Sequence, residues 1–346
     1  MGRALLVLAG VAAGTAGFAF RGDIASFLDE RATSRAAAAP DPPIPAPVPT
    51  PSADPSTPAP PRGRLVIHGT GDVNLDPSYI PALAANGYGH AWSGLDGLFE
   101  RDDLTVVNLE CAVSELGAPI PDKEFTFRAP PEALAPMAAA GVEVANLANN
   151  HSGDLGPDAL VDTRRNVIDV GIAPVGAGMD GRQAYRPAMF RVDGWKVAVL
   201  GFGGVIPHGG WLAGRDHPGM ADGDSIPEMV AAVREAERRA DVVVVTIHWG
   251  TELATTPDPE DVERAHALIR AGADAIFGHH AHRLQPLDTY RGRPIFWGLG
   301  NFVWPNLSHE GSTTAVAEVT VRPGGGIAGR LIPAYIESPG HPVLVD

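Results

Sequence analysis

The segment at residues 274–304 is DAIFGHHAHRLQPLDTYRGRPIFWGLGNFVW. It opens on the apolar run Ala275-Ile276-Phe277 and breaks at Gly278 into three histidines, His279, His280 and His282. A short apolar run bounded by glycine reads as a buried strand, and the glycine is expected to let the backbone turn as it leaves the sheet. Ligands of open α/β sheets bind beyond the carboxyl ends of the strands. In locally extended chain His280 and His282 project to one side, and neutral imidazoles so grouped suit zinc, manganese or iron. A polar turn of solvated histidines would contain the same residues. The choice depends on whether other parts of the chain deliver matching donors.

Other strand-like runs end in such donors. Residues 65–70 lead into Gly71-Asp72-Val73-Asn74, and residues 104–108 into Leu109-Glu110. Residues 142–147 lead into Asn149-Asn150-His151, and the very apolar 241–247 into His248-Trp249-Gly250. Each is ambiguous alone, since an aspartate in a turn or an Asn-rich helix cap is common. Asp154, three residues after His151, is expected to orient that ring and favour its protonated form. Five of the 12 histidines fall in these few places. Oxygen and nitrogen donors without thiolates suit a catalytic rather than a structural site, with one or two divalent transition ions, Mn, Fe or Zn.

Helices are expected over 131–140, 158–170, 226–240 and 260–271, from apolar periodicity and from the stops at Gly141 and Gly272. Asp193-Gly194 marks a hairpin between Ala188–Val192 and 195–201, and Pro323 with three glycines joins Thr313–Val321 to 327–336. Residues 203–224, rich in Gly, His and Asp, read as a long loop of the kind that forms lids or specificity elements.

The chain has 346 residues and a formal charge of −15, and it stays strongly acidic without its first 61 residues. Such a balance argues against a nucleic-acid partner. The single cysteine, Cys111, excludes an internal disulfide and a thiolate-rich metal site, and reads as a small buried hydrophobe. Residues 4–20 form an apolar stretch behind Arg3, long for a signal-peptide core and short for a spanning helix. We read residues 1–21 as a signal peptide or an N-terminal membrane anchor. Residues 22–63 read as a Pro/Ala-rich linker, with 11 prolines in the 22 residues of 40–61, extended and semi-rigid. The domain proper is expected over 64–340, outside the cytoplasmic membrane, membrane-anchored or secreted.

From about residue 64 to 304 the chain resembles the bacterial CapA family, the poly-γ-glutamate capsule biosynthesis proteins. The resemblance is carried by Gly71-Asp72-Val73, Asn108-Leu109-Glu110, Phe127-Arg128-Ala129-Pro130, Ala148-Asn149-Asn150-His151 with Asp154 and Gly156, and His248-Trp249-Gly250 with Glu252. Gly272-Ala273-Asp274, Gly278-His279-His280-Ala281-His282 and Leu299-Gly300-Asn301-Phe302-Val303 complete it. That family is similar to calcineurin-like metallophosphoesterases, which implies an α/β (α+β) fold: a four-layer αββα sandwich of two mixed sheets with metals at the strand ends. By this resemblance Asp72 and His282 would serve one metal, Asn150, His248 and His280 the other, and Glu110 would bridge them. His280 rather than His279 matches the His-x-His spacing. His151 with Asp154 would be the acid beside the substrate, and Arg128, Glu252, Asn301 and Asn74 are the substrate-binding candidates. The chain departs from the phosphoesterases at Asn74, where they have histidine, and at Glu110, where they have aspartate. An amide oxygen is a weaker donor than imidazole, so the Asp72 site is expected to be the weaker one.

Two classes of function remain. One is a metal-dependent hydrolase or transferase at the cell surface, acting on a polymer such as poly-γ-glutamate or on a small molecule. The other is a non-catalytic metal- or polymer-binding subunit of a membrane synthase complex. A periplasmic metallophosphoesterase is a weaker third.

Overall fold

The computed structural model describes residues 62–345. The expected signal or anchor and most of the expected linker lie outside the described residues. Among the described residues no helix is long and apolar enough to cross a membrane.

In chain order the first strands are β1 (Leu65–Val73), β2 (Leu104–Leu109), β3 (Val144–Asn146), β4 (Ala173–Val175), β5 (Ala188–Val192) and β6 (Trp195–Gly203). Then come β7 (Val242–His248), β8 (Ala275–His279), β9 (Leu287–Tyr290) and β10 (Arg293–Phe296). The last are β11 (Asn301–Val303), β12 (Thr313–Val321), β13 (Ile327–Ser338) and β14 (His341–Leu344). The helices that cover them are α1 (Leu134–Ala139), α2 (Pro157–Asp169), α3 (Ile226–Glu237) and α4 (Pro259–Ala271). One mixed sheet runs β14-β13-β12-β1-β2-β3-β4, with β11 added parallel to the end of β1. The other runs β9-β10-β8-β7-β6-β5.

Burial on both faces explains why the strands read as continuous apolar runs. Along β7, Val242 and Val244 join a core that also holds Leu65, Ile67 and Val106 of the other sheet. Val243, Val245 and Ile247 point the opposite way, into a cluster with Met229 and Val233 of α3 and Leu268 of α4. The first sheet does the same: Val107 and Leu109 pack with Leu134, Met137, Leu160 and Val167 of α1 and α2. The layers are therefore helix, sheet, sheet, helix, the αββα sandwich that the resemblance implied.

Four local expectations change. Gly278 does not end its strand, for β8 continues through it to His279. A Cβ there would lie 2.0 Å from the Trp297 carbonyl oxygen, so the glycine is required by close backbone approach. The turn comes later, at His280 and His282, whose φ angles are 90° and 51°. The expected helix over 131–140 begins as a 3-10 turn, Pro131–Ala133, before α1. The loop over 203–224 contains a 3-10 turn, Gly209–Trp211, and a short strand, Gly219–Met220, paired to Ala177–Gly178. The closing hairpin gains a third strand, β14, that the sequence reading did not place.

Candidate metal centre

The strand ends converge at one edge of the sandwich. In the register of the first sheet Asp72 lies opposite Asn108 on one side and Asn301 on the other. Glu110 follows β2 and Asn150 follows β3, while His248 ends β7 and His280 and His282 follow β8. At the centre is Glu110, fully buried, with neither carboxylate oxygen hydrogen-bonded. Its Oε1 lies 3.7 Å from His248 Nε2, 3.9 Å from His282 Nε2 and 4.0 Å from His151 Nε2. Donor atoms of Glu110, His280 and His282 lie within 4.8 Å of one another, as do those of Asp72, Glu110 and His248. A buried carboxylate without donors, ringed by imidazole nitrogens and a second carboxylate, is what a divalent cation satisfies. The residues present fit one or two such ions.

A set of fixed neighbours orients these side chains. His248 Nε2 meets Asn150 Oδ1 at 2.8 Å, and Asn108 Nδ2 lies 3.1 Å from His248 Nδ1 and 2.9 Å from Asp72 Oδ1. His282 Nδ1 lies 3.1 Å from Asp72 Oδ2 and 2.8 Å from Asn301 Oδ1. His151 Nδ1 meets Asp154 Oδ2 at 2.7 Å, and Asp154 also accepts the Phe127 N–H and pairs with Lys123. Outer partners of this kind hold a ring in one orientation.

Burial dominates the electrostatics. Desolvation, then the Asp72 carboxylate, pushes Glu110 well above the usual carboxylate range. Desolvation likewise holds His248 well below its ordinary value and lowers His279 and His280 to about 4. For Asp72 and His282 burial is opposed and outweighed by their mutual contact, so Asp72 is lowered and His282 raised. At His151 the Asp154 carboxylate does favour the protonated ring, but it is not the largest influence. Burial outweighs the Asp154 carboxylate, which Lys123 shares, and the net shift is downward, towards neutral imidazole.

The model of the bacterial capsule synthesis protein PGA_cap family matches residues 66–306. The chain belongs to this family. A probable polyglutamine synthesis accessory protein of Mycobacterium tuberculosis is 34% identical over 210 residues, covering 58% of this chain and 55% of that one. The PGA biosynthesis protein CapA of Bacillus subtilis is 32% identical over 237 residues, 68% of this chain and 62% of that one. The chain thus spans little more than half the length of these curated relatives. Among solved structures, the Haemophilus influenzae NAD nucleotidase superposes with a TM-score of 0.48 at 13% identity, over 79% of this chain and 50% of that one.

Within this PGA_cap domain, Asp72, Glu110, Asn150, His151, His248, His280 and His282 come together. Two donor groups share Glu110, one with Asp72 and His248 and one with His280 and His282, and His282 Nδ1 also lies 3.1 Å from Asp72 Oδ2, the two residues that the resemblance assigned to one metal. Of the two adjacent histidines, His279 is held by Thr246 Oγ1 at 2.8 Å, and His280 is the one that lines the cavity above the cluster. That cavity, of about 360 Å³, also takes in His151, Glu252 and Asn301. A larger cleft of about 1050 Å³ beside α3 contains none of these residues. Asn301 spends its amide on His282 and on the Gly311 carbonyl, so it steadies a histidine. Arg128 donates to the carbonyls of Ser114, Leu116 and Gly117 and does not line the cavity. Asn74 turns its oxygen onto the Asp76 N–H at 2.9 Å, leaving its buried Nδ2 without a partner. Cys111 is buried, with its thiol pushed up by desolvation, as a small hydrophobe should be.

The sequence reading missed Asn108 and Lys123. Asn108 stood inside a quoted motif, but only the pairing of β1 with β2 shows that its amide serves Asp72 and His248. Lys123 carries no local signal, since a charged residue in Asp122-Lys123-Glu124 reads as solvated surface. It folds in to pair with Asp154 and to donate to the Asn150 carbonyl at 2.7 Å, and desolvation lowers its pKa. Lys123→Met leaves the buried Asp154 without its cation and is expected to cost about 3 kcal/mol, with Lys123→Arg recovering part of it. Urea denaturation measures this, and a midpoint unchanged in Lys123→Met would show the pair to be unimportant.

Proposed function

We propose that the domain is a metal-dependent hydrolase or transferase of poly-γ-glutamate synthesis or processing, working outside the cytoplasmic membrane. The observation that carries the metal centre is Glu110, a buried carboxylate without hydrogen bonds, within 4.0 Å of three imidazole nitrogens. Asp72, Glu110, His248, His280 and His282, with the Asn150 amide oxygen, would hold one or two divalent ions. Such ions supply Lewis acidity to a phosphoryl or acyl electrophile and make bound water a better nucleophile. His151, fixed at Nδ1 by Asp154, directs Nε2 towards Glu110 and the cluster, where it can give or take a proton at the reacting group. Asn108 and Asn301 hold the His248 and His282 rings in place. A purely structural metal site has no use for a cavity-lining histidine held by a buried carboxylate, which favours catalysis over a passive subunit. Kinship with synthesis accessory proteins supports the polymer context, and the apolar segment and proline-rich stretch at the N-terminus support the location.

Metal analysis of the purified chain, joined to hydrolysis assays on phosphodiesters and γ-glutamyl peptides, tests the reading. His248→Ala is expected to lose most of the bound metal. His266→Ala, whose ring stacks on Tyr290 at 3.7 Å on α4, is expected to keep it. Equal metal content in the two variants would remove the assignment.

A further inference from the structure

The cavity above the histidines has an apolar side that metal binding does not use. A continuous series of aromatic rings descends from its mouth to the cluster. Phe125 meets Tyr79 edge-on at 6.4 Å between ring centroids, and Tyr79 meets Phe127 at 4.7 Å and Trp304 at 5.8 Å. Phe127 then stacks on His151 at 4.2 Å, and Trp304 lies 4.7 Å from His282. At the mouth Phe125, Leu253 and Leu307 are 51%, 54% and 77% exposed. They are three of the five exposed large hydrophobic side chains among the described residues. Such side chains scattered singly mean nothing, but three around one opening mark a binding surface. The lining sets Lys123 and Arg283 against Glu124 and Glu252, and Lys123 is already committed to Asp154, so no excess of positive charge remains. Walls of balanced charge do not draw in a polyanion. What they offer beyond the metal donors is apolar and planar contact.

We propose a substituent subsite: the centre takes an anion, carboxylate or phosphoryl, whose adjoining substituent is planar and apolar. That substituent lies along the wall of Tyr79, Phe127 and Trp304, with Phe125, Leu253 and Leu307 around its outer end. The inference rests on the metal-centre reading for the anion and on the aromatic wall for the substituent. It explains an apolar mouth that a chain of hydrophilic glutamyl units would not require. The polymer's point of attachment, or a second substrate, then supplies the apolar group.

The test uses the full chain loaded with Mn2+, and two anions that differ only in the substituent, phenylphosphonate and methylphosphonate, by calorimetry. Phenylphosphonate is expected to bind at least about tenfold more tightly. The double variant Phe125→Ser, Leu307→Ser changes only exposed side chains and is expected to cut the preference to about threefold or less. Equal affinities in the native chain, no binding of either anion, or a preference that survives the double variant would each overturn the subsite. The Mn2+ stoichiometry measured on the same protein separates the two readings. Full metal without preference removes the subsite alone, whereas preference without metal keeps the subsite and removes the metal centre.

Discussion

Glu110→Gln is expected to abolish stabilisation by metal while leaving the metal-free protein as stable as the native one, or more so. The native side chain is buried with no donor on either oxygen, and burial together with Asp72 raises its pKa strongly. A carboxyl whose folded pKa is raised destabilises the fold wherever the unfolded chain would ionise it, so at neutral pH a neutral amide of the same shape relieves that cost. A bound ion reverses the balance. At a concentration near a thousand times its Kd it contributes about 4 kcal/mol, on the order of 10 °C in Tm for a domain of this size. Thermal melts in chelator and in excess Mn2+ or Zn2+ decide the matter. A Glu110→Gln chain that keeps the native metal-induced shift would show that Glu110 holds no ion. One that melts much lower in chelator would show that the carboxylate supports the fold instead.

Gly278→Ala is expected to be nearly as damaging, although glycine offers no donor. Its added Cβ would sit 2.0 Å from the Trp297 oxygen and 2.7 Å from Trp249 Nε1, and Trp249 donates to that same oxygen at 3.0 Å. Both neighbours are buried, so β8 must shift away from them. Overpacking of this kind costs about 1–3 kcal/mol, and here it falls on the strand that sets His279, His280 and His282. Metal affinity should therefore drop along with the urea midpoint. Gly326→Ala, where a Cβ would meet nothing within 4 Å, is the control and should stay within about 0.5 kcal/mol of the native chain. A Gly278→Ala chain with native midpoint and native metal affinity would mean that the close approach is not needed.

The two predictions differ in how much of their basis is visible in the sequence. That Glu110 stands at a strand end follows from the run before it. That it stands at the middle of the cluster does not, because its neighbours His151, His248 and His282 lie in other loops and in the other sheet. Gly278 is visible in the sequence as a break in an apolar run, but its role in close backbone approach inside β8 is not. The carbonyl that excludes a Cβ there belongs to Trp297, which reaches Gly278 only once β10 has paired with β8. Arg128 and Lys123 are the instructive pair. Both are cations near one family motif, yet one is used up on backbone carbonyls and the other reaches the acid of the His151 pair.

The strands and the donors that end them are legible in the sequence, whereas the layering was implied only by the family resemblance. Apolar runs of strand length mark strands buried on both faces, and the polar residues that end them mark the carboxyl edge, because both signals are local in the chain. How those residues are used depends on the folded arrangement. It gave Asn74 to a turn and Asn301 to His282, and drew Lys123 inward. Those outcomes depend on strand order and on contacts such as Asn150 with His248, 98 positions apart. Local patterns carry no information about distance between strand ends, and donor geometry is a matter of distance.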